Sequence, residues 1–165
     1  MGTSRSGLYL NTNGSKRKVS EYALVHSNEG TFKNVNSPNP NKSPFRMVSG
    51  GHGEDNIKLL KKYGIKYNIV KTYPNGVRVG NVEGHEKKNK REKNKQSWFP
   101  KSWTAKDIQR AGEHVAALKS NKNIKDGYNM YGIWKGVRVG IKRTNGKVST
   151  IFPDLKQPNK KKGKK

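Results

Sequence analysis

The chain has 165 residues, with 36 Lys and Arg against 11 Asp and Glu, a formal net charge of +25, and no Cys. That length allows one domain of ordinary size with something left over, and the lack of Cys excludes a disulfide framework and thiolate metal sites. So large a charge costs self-repulsion on folding and points to a polyanionic partner. Nucleic acid comes first, because each neutralised phosphate releases a counterion.

In chain order, residues 1–47 are rich in Ser, Asn, Gly and Lys and end near Pro38, Pro40 and Pro44. Short apolar patches such as Tyr22-Ala23-Leu24-Val25 lack a sustained period, so the segment is expected to be a poorly structured leader and linker. Residues 48–155 carry the patterned sequence, and residues 156–165, with six Lys, are expected to form a disordered basic tail. No stretch approaches the ~18 apolar residues of a membrane span, and no signal-peptide core follows the N-terminus.

Within the patterned region, Asp55 to Tyr63 reads as a helix that Gly64 ends. Ile65, Tyr67 and Ile69 alternate like a half-buried strand, and Pro74-Asn75-Gly76 turns the chain into Val77-Arg78-Val79 as a hairpin. Thr104 with Asp107 marks a helix start, and that helix would bury Ile108, Ala111, Val115 and Leu118. Three strands follow: Tyr128 to Trp134, Val137 to Lys142 and Val148 to Phe152, with turns at Lys135-Gly136 and Thr144-Asn145-Gly146. Gly-Val-Arg-Val-Gly occurs twice, at 76–80 and 136–140, each time on the return strand of a hairpin. Two similar β units, each after a helix, suggest two lobes facing one another.

Four His are present: His26, His52, His85 and His114. RNA cleavage through its own 2′-hydroxyl needs a base, an acid and positive charge at the phosphorane. Imidazole can fill either proton-transfer role near neutral pH. His52 sits among glycines in Ser49-Gly50-Gly51-His52-Gly53 just before a helix, where backbone can approach a phosphate. His85 follows a strand and opens a basic loop. His114 falls in a helix beside Val115, and His26 lies in the unpatterned leader, so neither is a candidate. The acids are scattered. Only Glu54-Asp55 are adjacent, and a metal-dependent DNase built on His52, Glu54 and Asp55 is an alternative reading. The basic run from Lys87 to Lys95, next to Trp98-Phe99-Pro100-Lys101-Ser102-Trp103, has the makings of a single-strand groove. On charge and aromatics alone, a non-catalytic RNA-binding module is the other alternative.

Five ordered blocks resemble the bacterial EndoU nuclease family. They are Ser-Gly-Gly-His-Gly at 49–53, Tyr-Pro-Asn-Gly-Val-Arg-Val-Gly-Asn-Val-Glu-Gly-His at 73–85, Ser-Trp-Phe-Pro-Lys-Ser-Trp at 97–103, the second Gly-Val-Arg-Val-Gly and Thr-Asn-Gly-Lys-Val-Ser-Thr-Ile-Phe-Pro at 144–153. The resemblance covers residues 48–155 and implies an α+β fold with two antiparallel β-sheets flanking a cleft and short helices. It implies a metal-independent endoribonuclease, a toxin that leaves a 2′,3′-cyclic phosphate. The target would be RNA, tRNA first, and a cognate immunity protein would neutralise it. Its setting would be that of a secreted or cell-surface delivered effector acting in the target-cell cytoplasm. No cofactor is implied, with a divalent ion such as manganese left open. By motif the catalytic group would be His52, His85, Thr150 and a lysine, Lys101 ahead of Lys88 and Lys95. Gly51, Lys88, Trp98 and Phe152 would bind substrate. Phe152 stands where the related viral enzyme has Tyr, which favours stacking there over hydrogen bonding.

Overall fold

Hairpin turns and helix caps set the architecture. The computed structural model describes residues 19–33 and 46–158. Among them are α1 (Glu21–Asn28), β1 (Thr31–Lys33), β2 (Arg46–Ser49), α2 (Glu54–Lys62), β3 (Tyr67–Thr72), β4 (Arg78–Val82), α3 (Lys88–Glu92) and β5 (Gln96–Trp98). Then come α4 (Ala105–Ala117), β6 (Met130–Trp134), β7 (Val137–Thr144) and β8 (Lys147–Pro153). The fold is α+β as expected. Two antiparallel three-stranded sheets, β3-β4-β5 and β6-β7-β8, are joined by a smaller pair, β1-β2.

The local signals act where the sequence places them. The Thr104 hydroxyl accepts from the Asp107 N–H, and the Asp107 carboxylate accepts from the Thr104 N–H, closing a capping box at α4. Ile108, Ala111 and Val115 are fully buried on one face of that helix, against the β6-β7-β8 sheet. Lys135-Gly136 and Asn145-Gly146 all have positive φ, the requirement of tight two-residue hairpin turns. Both copies of the repeated pentapeptide reach the middle strand of a three-stranded sheet, β4 in one and β7 in the other.

Each sheet has its own core. Met47, Ile57, Leu60, Val82 and Trp98 pack α2 onto the first sheet. The larger cluster joins α1 and α4 to the second sheet and reaches across to Val77, Val79 and Phe99. The lobes are tied by polar contacts as well. The Ser97 hydroxyl donates to the Pro153 carbonyl at 2.9 Å, and the Tyr73 hydroxyl donates to the Leu155 carbonyl at 2.8 Å.

One expectation is corrected. Residues 19–33 fall inside the anticipated leader, yet they form α1 and β1 and enter the core through Val19, Ala23 and Leu24. Ser20 caps α1 by accepting the Ala23 N–H, and the Ser27 hydroxyl accepts the Ile151 N–H of β8. The apolar residues of α1 are consecutive rather than spaced by three or four, so no helical period shows. Tertiary packing supplies the stability instead. At the other end, Gln157 of the expected tail is buried and bonds to the Arg138 N–H and carbonyl. Residues 1–18, 34–45 and 159–165, the rest of the expected leader and tail, lie outside the described residues. Among the described residues no helix is long and apolar enough to cross a membrane.

Candidate active site

The last turn of α1 and the glycine loop after β2 are laced together. A helix C-terminus leaves its final carbonyls without intrahelical partners. Here the carbonyls of His26, Ser27 and Asn28 accept from the N–H groups of Gly51, His52 and Gly53 in turn. Three consecutive bonds thus fix His26 and His52 in one register, although 25 residues separate them in the chain. The glycines are required by the closeness of this approach. Gly50 and Gly51 have φ of +68° and +71°, and a Cβ on Gly50 would collide with the His26 carbonyl. On Gly51 a Cβ would strike Met47 and Asn56.

His26 and His52 line one cleft of about 450 Å³. The cleft lies between the first lobe's loops and the second lobe's sheet. Lys87, Asn89, Lys90 and Lys95 reach it from the long β4–β5 connection. Lys142, Thr150 and Phe152 come from the second sheet, with Asn129 and Tyr131 beside them. The Phe152 ring lies 6.1 Å from the His52 ring, tilted at 50°.

His52 is 4% exposed, and its Nδ1–H donates to the Ser97 carbonyl at 2.7 Å, which leaves Nε2 with its lone pair. Burial pushes its pKa well below the ordinary histidine value, and the charge of Lys90 pushes the same way, outweighing the Ser97 bond. His26 is also lowered, by burial first and then by Lys87 and Lys90. Its Nδ1 meets the Thr31 hydroxyl at 2.9 Å. Burial brings Lys90 down to about 8, helped by Lys87. It remains a cation at neutral pH, drawn into the cleft beside two neutral imidazoles.

Of the other motif-based candidates Lys95 reaches the cleft, while His85, Lys101, Lys88, Trp98 and Gly51 are not among its lining residues. His85 is fully buried outside the cleft lining. Its Nδ1 accepts the Lys87 N–H at 3.0 Å, its carbonyl accepts from Arg91 at 2.7 Å, and burial lowers its pKa to about 4. It therefore anchors the loop that carries Lys87 and Lys90. Lys101 is exposed in the turn before α4 and outside the cleft. Lys88 faces a shallow basic depression with Lys87, Asn89 and Lys93. Trp98 has no exposure and donates from Nε1 to Asn56 at 2.9 Å, a core position rather than a binding one. Gly51 packs against Met47 and Asn56 and serves the loop's geometry. Thr150 and Phe152 line the cleft, and His114 is exposed on α4.

His26 and Lys90 line the cleft without having been singled out by the sequence. Lys90 is one of six basic residues between positions 87 and 95, with nothing local to single it out. The donor set suits an anion rather than a cation. Among the described residues Asp154 is the one carboxylate on the cleft wall, and it is held by Arg138 at 2.6 Å. Glu54 pairs with Arg78 at 2.7 Å and Asp55 accepts from Asn28 at 2.8 Å, so both acids of the DNase alternative are already engaged. Among the described residues no group of three or more His, Cys, Asp or Glu stands ready for a metal.

Neither the curated proteins nor the solved structures include one that matches this chain. The family model described as bacterial EndoU nuclease matches residues 20–155, starting at the capping serine of α1 and ending two residues beyond β8. That span takes in both histidines of the cleft, the basic loop and both sheets. The chain belongs to the bacterial EndoU nuclease family.

Proposed function

We propose that this nuclease is a metal-independent endoribonuclease toxin domain with His26 and His52 as its acid and base. The observation that carries the reading is the three-bond lacing of α1 to the glycine loop, which sets two imidazoles in one cleft beside a desolvated lysine. His52, kept neutral with Nε2 free, takes the proton of a ribose 2′-hydroxyl. The 2′-oxygen bonds to phosphorus and the bond to the 5′-oxygen breaks. His26, in the minority of molecules that carry its imidazolium form against the effect of burial, Lys87 and Lys90, gives that oxygen its proton. The products are a 2′,3′-cyclic phosphate and a 5′-hydroxyl. Lys90 stabilises the charge gathering on the phosphorane, Thr150 offers a hydroxyl to a phosphate oxygen, and Phe152 stacks on a base.

Charge supports RNA as the substrate, since a surface of +25 binds polyanions strongly at low salt. Family membership supports a delivered toxin acting in the target-cell cytoplasm, with tRNA as a target and a cognate immunity protein as the natural inhibitor. Incubation of the purified protein with total tRNA in EDTA is the test, with end-group analysis of the fragments. Cyclic-phosphate ends are expected. Cleavage that appears only when manganese is restored would overturn the metal-free mechanism. Salt-sensitive binding without scission would favour a binding module.

A further inference from the structure

Gly140 sits between the two aromatic rings of the cleft. In register it faces Tyr131 of β6 on one side and Phe152 of β8 on the other. Residues opposite one another across a sheet present their side chains on one face. A Cβ on Gly140 would come within 2.9 Å of Tyr131 Cε1 and closer still to the Phe152 ring. Both rings therefore lean over the glycine and meet edge to face, 6.1 Å apart at 89°.

The proposed chemistry uses Phe152, which touches His52, and leaves Tyr131 without a task. Yet Tyr131 is held firmly. The Arg138 guanidinium lies 4.4 Å from its ring centroid, and Asp154 fixes Arg138 at 2.6 Å. The Asn129 amide donates to its hydroxyl at 3.3 Å. An oriented aromatic ring beside another, on a sheet face in a basic cleft, is how single-stranded nucleic acid is gripped. The cleft volume of about 450 Å³ is in the range that takes ligands larger than a single base.

We propose that Tyr131 forms a second base subsite, which stacks the nucleotide next to the one held by Phe152. The cleft then takes two consecutive nucleotides of unpaired RNA, and a duplex, whose bases are already stacked, is excluded. This rests on the ribonuclease reading above.

The test uses a DNA oligonucleotide with one central ribonucleotide, so that one bond can be cut. Two further versions lack the base on the 5′ or the 3′ side of that nucleotide. Tyr131→Leu should lower kcat/KM on the complete oligonucleotide by roughly 5- to 150-fold, the scale of one lost base stack. On one of the two abasic versions the same substitution should have almost no effect, because the partner is already gone. Tyr131→Phe keeps the ring and should stay close to the unmutated protein, which guards against a misfolded variant. An equal loss on all three substrates would mean that Tyr131 only props Phe152, and would overturn the subsite. No loss on any of them would overturn it too. Binding of the same three oligonucleotides with an uncleavable 2′-fluoro centre gives a readout independent of scission. A base-dependent loss of affinity there would uphold the subsite even if no strand were cut, in which case the ribonuclease reading alone would fail.

Discussion

The two copies of Gly-Val-Arg-Val-Gly have one backbone role and two side-chain fates. In each, the leading glycine has positive φ in a turn and the two valines are buried in the core. The arginines differ. Arg78 is 8% exposed and locks α2 to the first sheet through Glu54 at 2.7 Å and the Phe99 carbonyl. Arg138 is half-buried, pairs with Asp154 and lies on Tyr131 at the cleft wall. The strand connections diverge as well. The second lobe passes from β7 to β8 through two residues, leaving an open sheet face. The first runs through residues 83–95 between β4 and β5, and that loop brings the lysines. One lobe thus supplies charge on a pinned loop, the other a fixed aromatic wall, and a cleft needs both.

The comparison can be broken from either side. Among changes to the loop and to the two arginines, the largest effect is expected at Lys90, the loop's contribution to the chemistry. Lys90→Ala should lower kcat by about 10²–10³, the scale for removing one stabiliser of transition-state charge. Lys88→Ala, outside the cleft, should change KM at low salt and leave kcat nearly unchanged. Single-turnover cleavage would separate them.

The arginines come next. Arg78→Ala leaves the Glu54 carboxylate without its partner in a largely buried place and should cost about 3–5 kcal/mol of stability in denaturant titration. Arg138→Ala should cost no more than about 1 kcal/mol, since the pair is partly open to solvent. The same substitution at two copies of one motif then sorts scaffold from site.

A further effect is on pH dependence. His85 titrates near 4 in the fold against 6.5 when unfolded, because burial disfavours its charged form. Between those values the unfolded chain binds more protons, so stability rises with pH and is full above 6.5. It is lost as pH falls towards about 4, and the unfolding midpoint should drop over that window. His85→Asn, whose amide oxygen can still accept the Lys87 N–H, should weaken that dependence, with the shares of His26 and His52 remaining. An unchanged profile would mean that other groups set it.

Much of this fold was legible because its signals are local. The Thr104–Asp107 cap, the Asn145-Gly146 turn and the alternation of β6 to β8 act within a few residues of themselves. The glycines around His52 likewise marked a loop where backbone comes close. What was not legible depends on distance. His26 gains its place only when α1 packs on β8 and its carbonyls meet the Gly51–Gly53 amides. His85 carried the stronger motif but became a buried anchor, since a histidine between a strand and a basic loop can face either way. Lys101 and Trp98 show the same limit. Proximity in a motif did not bring either one to the cleft.

The central claim is that the catalytic pair is His26 with His52 rather than His85 with His52. Its most direct test is single-turnover RNA cleavage in EDTA by His26→Ala and by His85→Asn, each checked for native folding. His26→Ala should lose about 10²–10⁴ in rate, the usual scale of a general acid or base, while His85→Asn should stay within about tenfold of the unmutated protein. The reverse order, with His26→Ala active and a folded His85→Asn inert, would contradict the account.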